Sequence, residues 1–255
     1  MIYELEERER AVPVFAGWEE TMIWSCLQGV MGHIYVKDRE NPVSAMAILG
    51  DFCFFGGEPD GDLAAFKPEW CKQDFMIAVP GQAGWSEAIE NHYCARAKKV
   101  VRYAMKKEPG IFDERKLAET ARMLPPEYTI GLMDEADFRD CQKEEWCSDF
   151  VSQFKDWESY RKLGLGVVIR KDGRLAAGAS SYTAYRGGIE IEIDTKKEYR
   201  RKGLACACGA RLILECLSRG LYPSWDAQNK WSVALAEKLG YHFSHVYDAY
   251  EIYGY

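Results

Sequence analysis

Glu190, Glu192 and Asp194 alternate with Ile189, Ile191 and Ile193 in the run IEIEIDT. Successive side chains of a strand point to opposite faces, so this spacing sets three carboxylates on one face and three isoleucines on the other. Carboxylates that close repel one another, and any buried member has a raised pKa. Such a group suits a general base that takes a proton from an ammonium, directly or through water. The same face would also attract a cationic ligand, or serve as the polar outside of a sheet. Glu192 is the first candidate for the base and Glu190 the second.

The next residues carry a different chemistry. Between Lys196 and Lys202 there are five basic residues and one acid, in a chain whose net charge is −7. Gly203, Leu204 and Ala205 then open an amphipathic stretch. Helix N-termini leave backbone N–H groups unpaired and carry partial positive charge, so they bind anions. A glycine lets a pyrophosphate come close to the backbone, and a small residue two positions later keeps the first turn uncrowded. Arg200, Arg201, Lys202, Gly203, Leu204 and Ala205 therefore form a candidate site for a phosphorylated ligand, against the plainer reading of a solvated basic turn.

These residues need a strand, a turn and a helix to position them, and the C-terminal half supplies the order. Strands are expected over Gly166–Arg170, Arg174–Tyr185 and Gly188–Thr195, antiparallel and joined by the hairpin pairs Asp172-Gly173 and Gly187-Gly188. A helix follows from Leu204 to Arg219, closed by Gly220, then a strand near Leu221–Ala227. Asn229 opens another helix that Gly240 closes. Tyr241–Tyr253 supplies one or two last strands. Upstream, an aromatic-rich helical stretch covers Glu135–Gly164, after a strand at Tyr128–Met133.

The N-terminal half reads as mixed α and β. A helix is expected over Glu19–Gln28, strands at His33–Lys37, Ala45–Phe55 and Phe75–Val79, a helix from Ser86 to Ala97, and a strand at Val100–Lys106. Gly81 and Gly84 could shape a phosphate loop, but with no basic residue nearby a strand-to-helix connection capped by Ser86 is the expectation. Pro125-Pro126 follows a helical segment, Asp113–Met123, and marks a domain boundary: 1–126 and 127–255.

Composition bounds the rest. With 255 residues, 47% hydrophobic and 29% charged, the chain is an ordinary globular one, long enough for two modest domains or one large one. The acidic balance argues against nucleic acid as partner. No apolar run approaches the ~20 residues that span a bilayer. The charged N-terminus, MIYELEERERAVPVF, lacks a secretory core, so a cytoplasmic location without membrane attachment is expected. The nine cysteines form no C-x-x-C pair, and Cys206 and Cys208 fall inside a helical pattern, so buried reduced thiols are expected and no metal site.

The sequence R-x-x-G-x-A at Arg200–Ala205, after a strand and opening a helix, resembles the acetyl-CoA-binding motif of the GNAT superfamily of N-acetyltransferases. Asn229, opening a helix that ends in Lys238-Leu239-Gly240-Tyr241, is similar to the second GNAT motif. The resemblance covers Glu127 to Tyr255. Within it, GLYPSWDAQNKWSVALAEKLGY resembles a branch that includes the zwittermicin A resistance acetyltransferase.

The resemblance implies an α/β fold of the α+β type, a mixed, mostly antiparallel sheet flanked by helices. It implies acetyl-CoA as cofactor, with pyrophosphate on the backbone amides of Arg201–Ala205 and Arg200 at the motif's Arg/Gln position. The pantetheine arm would run along main-chain groups of Ile193 and Thr195. Asn229 and Ser232 would reach the pantetheine or phosphate region, and Asn229 serves equally as a helix N-cap. The implied reaction is direct transfer to a small, cationic amine in a ternary complex. One departure stands out: many members carry a tyrosine general acid four residues before the terminal glycine, and here that position is Ala236. A non-catalytic acyl-CoA-binding sensor is therefore the alternative. The N-terminal half has no such motif, yet its strand–helix order allows a degenerate second copy that would shape the substrate cleft or a homodimer interface.

Overall fold

The computed structural model describes Met1 to Tyr255. In chain order its strands and helices are β1 (Tyr3–Glu4), α1 (Thr21–Gln28), β2 (His33–Val36), β3 (Ser44–Leu49), β4 (Phe52–Gly57), α2 (Gly61–Ala64), β5 (Phe75–Pro80), α3 (Ala83–Tyr93), β6 (Ala97–Met105), α4 (Glu114–Arg122) and β7 (Tyr128–Leu132). They continue as α5 (Glu135–Cys141), α6 (Trp157–Leu163), β8 (Gly166–Lys171), β9 (Arg174–Tyr185), β10 (Gly188–Thr195), α7 (Leu204–Ser218), β11 (Tyr222–Ser224), β12 (Asp226–Ala227), α8 (Lys230–Leu239) and β13 (Phe243–Tyr253).

Two compact units form, Met1–Arg102 with Val246–Tyr255, and Tyr103–His245. The boundary expected at 126/127 therefore falls inside the second unit. Its cause is α4, which buries Leu117 and Ala121 and packs on α7. The chain end belongs to the first unit, where β13 pairs antiparallel with β5 from Tyr250↔Ala78 to Tyr253↔Phe75. Tyr250 and Ile252 are buried there in one cluster with Met76, Ala78 and Trp85.

In the first unit β2, β3 and β4 are antiparallel and β5 runs parallel to β4. The single strand expected over Ala45–Phe55 is two, folded back at Gly50, whose φ is +62°. Every residue of β3 and all of β4 but Gly57 are buried, so the apolar pattern runs unbroken through the turn and hides it. Helix α3 begins at Ala83 with Gln82 as its cap, so Ser86 lies inside the helix. Gly81 has a packing reason: a Cβ there would lie 2.7 Å from both the Phe55 carbonyl and the Trp18 ring.

In the second unit the strand order is β11-β10-β9-β8-β7, with β10 and β11 parallel and the other pairs antiparallel, as the two hairpin turns predicted. Helix α7 packs on β8, β9 and β10. The aromatic stretch expected as one helix is three pieces, α5, a 3-10 segment at Glu145–Phe150, and α6. Asp134 and Asp156 each form a capping box that starts a new helix, which a count of aromatic residues does not register. Each unit repeats one order: three antiparallel strands, a helix, a strand parallel to the third, and another helix.

Candidate active site

Strand β10 pairs with β11 only over Gly188↔Tyr222, Ile189↔Pro223 and Glu190↔Ser224. Beyond Ser224 the chain turns away, and Asp226 and Ala227 pair antiparallel with Ala104 and Tyr103. No strand therefore continues beside Ile191–Thr195 on the β11 side. At the same point β9 carries a bulge. Glu190 faces Thr183 while Ile191 faces Ser181, which leaves Tyr182 as the extra residue. Because that residue lies on β9, alternation along β10 continues through the bulge.

The isoleucine face is turned to α7: a Cβ on Gly209 would lie 3.0 Å from Ile193 Cδ1. The carboxylate face is turned to the 3-10 segment, since a Cβ on Gly178, opposite Asp194, would lie 2.5 Å from the Phe150 ring. Glu190, Glu192 and Asp194 thus share a face, but not one environment. Glu190 is 6% exposed, whereas Glu192 and Asp194 are half-buried. Opposite Glu192, the Ser180 hydroxyl donates to the Phe150 carbonyl at 2.7 Å and meets Tyr160 Oη at 2.7 Å. Asp194 Oδ1 accepts from the Thr195 amide at 2.6 Å and from Arg200 at 3.3 Å.

The basic turn follows directly. Arg200 Nε donates to the Thr195 carbonyl at 2.9 Å, tying the turn back to the end of β10. Arg201 takes φ +62° and Gly203 φ +79°, so the chain reaches α7 through left-handed positions. Gly203 is the N-cap of α7 and no side chain caps that end. The first helical bond is Ala207 N–H to the Gly203 carbonyl, which leaves the earlier amides of Leu204, Ala205 and Cys206 aimed out of the helix end. A Cβ on Gly203 would meet open space, so the approach to these amides is clear. Lys202 Nζ lies 3.3 Å from Tyr128 Oη and over the Tyr199 ring. Leu204 is buried and Ala205 half-buried. A turn of this shape, with uncapped amides and exposed Arg201 and Lys202, fits a pyrophosphate.

Asn229 caps α8: its Oδ1 accepts from the amides of Trp231 and Ser232, each at 3.0 Å. Ala236 is fully buried, so nothing larger takes up the usual tyrosine position. Tyr241 is core, donating to the Pro223 carbonyl at 2.7 Å, and burial pushes its pKa well above the usual tyrosine value.

Around Glu190 the fold gathers groups that sequence reading missed. Thr183 and Ser224 flank it in register, and Tyr185 Oη lies 2.9 Å from Ser224 Oγ. Burial pushes the Tyr185 pKa up to about 12, with the charge of Glu190 adding to the rise. The available signal was the run Ser180, Ser181, Thr183 in an otherwise apolar strand, where all three are fully buried.

A three-stranded antiparallel core whose last strand parts from a parallel neighbour leads into a basic turn and a helix whose N-terminus no side chain caps. The chain belongs to the GNAT acetyltransferase family, a family of acyltransferase enzymes, whose sequence profile matches residues 12–250. The match thus spans both units and exceeds the stretch that carried the resemblance. The chain is 34% identical over 237 residues to the uncharacterized N-acetyltransferase YdfB of Bacillus subtilis (strain 168), covering 87% of this chain and 86% of that one. It is 44% identical to the crystal structure of a GCN5-related N-acetyltransferase-like protein from Streptococcus suis 89/1591, with a TM-score of 0.91 and 97% and 98% of the chains covered. A tandem GNAT protein from the clavulanic acid biosynthesis pathway shares the fold at 11% identity, with a TM-score of 0.56 over 100% and 99% of the chains. No helix is long and apolar enough to cross a membrane.

Proposed function

We propose that this protein transfers the acetyl group of acetyl-CoA to a small, cationic amine by direct attack in a ternary complex. The observation that carries the reading is the parting of β10 and β11 after Glu190 and Ser224, which leaves Ile191–Thr195 leading from the carboxylates to the α7 N-terminus. The pantetheine arm would lie against the main chain of Ile193 and Thr195, with pyrophosphate on the amides of Arg201–Ala205. Glu192 or Glu190 takes the amine proton, and the amine then attacks the thioester carbonyl. A backbone N–H of β10 polarises that carbonyl, and positioning supplies much of the rate. The carboxylate face favours a cationic acceptor over an anionic one. The resemblance to the zwittermicin A resistance branch makes an antibiotic amine one acceptor class to assay.

A second reading has a specific basis in Ala236, which removes the usual acid: an acyl-CoA-binding sensor without turnover. CoA release measured against a panel of amines, for wild type, Glu192→Gln and Glu190→Gln, separates the two. Turnover that falls in one carboxylate variant supports the enzyme. Tight acetyl-CoA binding with no turnover on any amine supports the sensor, and no acetyl-CoA binding removes both.

The shared order of strands and helices supports the first unit as a degenerate copy of the second. Its parallel pair stays joined from Phe52↔Ile77 to Phe55↔Pro80, and the Gly81 amide adds a further bond to Phe55 at 2.9 Å. No comparable parting opens there, which agrees with the missing R-x-x-G-x-A motif. Superposition of experimental structures of the two units showing unrelated topologies would remove this reading.

A further inference from the structure

Thr183, Glu190 and Ser224 form a row across β9, β10 and β11, at the last pair before β10 and β11 part. Side chains directly opposite on neighbouring strands share a face and stand about 5 Å apart at Cβ. Thr183 and Ser224 are fully buried. Ser224 has Tyr185 as hydrogen-bond partner, but Thr183 Oγ1 is buried with none in the protein. A buried hydroxyl without a partner is unfavourable, and valine would fill the same space without that cost. The hydroxyl beside Glu190 therefore calls for a small third body that can both accept and donate. The position beside Glu192 makes no such demand, since Ser180 is already bonded to Phe150 and Tyr160.

We propose that Thr183 is a positioning residue: its hydroxyl and the Glu190 carboxylate together hold one water molecule where β10 and β11 part, and the proton leaving the acceptor amine passes through that water to Glu190. The balance is simple. The amine N–H bond breaks as the water takes that proton, and the water gives one of its own to Glu190. The freed nitrogen lone pair forms the bond to the acetyl carbon, the carbon–sulfur bond of the thioester breaks, and the departing CoA thiolate takes the second proton from that nitrogen. Glu190 ends as the neutral acid and the water is regenerated. The inference rests on the acetyltransferase reading above, with Glu190 as the group that receives the proton.

Thr183→Val keeps the side chain's shape and removes its hydroxyl. The variant is expected to fold with a melting temperature at or above wild type. Its KM for acetyl-CoA stays within about twofold while kcat falls about tenfold or more. Thr183→Ser should restore most of the lost kcat, which a purely structural role would not predict. A crystal structure of the ligand-free protein should show a water within hydrogen-bond distance of both Thr183 Oγ1 and Glu190, missing in Thr183→Val. Wild-type kcat in Thr183→Val, or a Thr183 hydroxyl bonded to a protein group instead, overturns the proposal and leaves the acetyltransferase reading standing. So does wild-type turnover in Glu190→Gln with loss in Glu192→Gln. Wild-type protein that releases no CoA with any amine overturns both.

Discussion

Tyr185 reaches across β10 to Ser224: their hydroxyl oxygens are 2.9 Å apart, although one residue belongs to β9 and the other to β11. The crossing is possible because the residue beneath is Gly188, paired with Tyr185 on one side and Tyr222 on the other. A Cβ on Gly188 would collide with the Tyr185 ring and hydroxyl and with the Tyr222 carbonyl. This link bridges the strands just before β10 and β11 separate, so it holds their spacing where a substrate arm would enter.

Gly188→Ala should destabilise the protein by about 1–3 kcal/mol, the range for forcing extra volume into a packed core. Tyr185→Phe keeps the ring and loses only the hydrogen bond, so about 1 kcal/mol is expected. Urea unfolding midpoints of the two variants check this. A Gly188→Ala cost no larger than that of Tyr185→Phe would contradict the crossing.

Gly203→Val puts a β-branched side chain at φ +79° in the approach to the α7 amides. Left-handed backbone costs a residue with a Cβ about 1–2 kcal/mol, and the added methyls stand where an anion would sit. Calorimetric titration with CoA should show at least about tenfold weaker binding, while Glu192→Gln binds as wild type. Unchanged binding in Gly203→Val would remove the turn as the pyrophosphate site.

Eight of the nine cysteines are buried and Cys94 is exposed. Burial pushes Cys26 and Cys216 up to about 12 and raises Cys206 and Cys208 as well, so none of these supplies a thiolate near neutral pH. Iodoacetamide at neutral pH should therefore add one carbamidomethyl group to the folded chain, at Cys94, and eight more after unfolding. Cys206→Ala should keep its turnover. Loss of activity there without loss of stability would point instead to a covalent acyl-enzyme formed on Cys206.

Glu144, just before the 3-10 segment, bonds Lys196 at the end of β10 at 2.8 Å. The Lys196 ammonium first, and then the Trp146 indole, hold the Glu144 carboxyl below the usual glutamate value of 4.5. A carboxylate depressed in the folded state stabilises fully above its unfolded pKa and loses that contribution as pH falls through the folded value. Wild type should therefore lose more stability than Glu144→Gln on acidification from pH 5 through the region below 4.5, measured by thermal unfolding. Both groups are partly exposed, so salt should shrink the difference. Parallel stability curves for the two proteins would rule the contact out as a source of acid sensitivity.

Local pattern alone determined the strand–turn–helix of the candidate site. Alternation placed Glu190, Glu192 and Asp194 on one face, the glycine pairs turned the β8-β9-β10 hairpins, and Gly203 marked the start of α7, because each of these signals spans only a few neighbouring residues. Where the outcome depended on burial from both sides, as in Ala45–Phe55, the pattern went silent and the turn at Gly50 was not legible. Only the tertiary structure decided that Glu190 is buried while Glu192 is half-open, that β11 leaves β10 at Ser224, and that the last strand completes the first unit's sheet. Those are contacts between residues far apart in the chain, set by which apolar faces find one another on packing, and no window of sequence contains both partners.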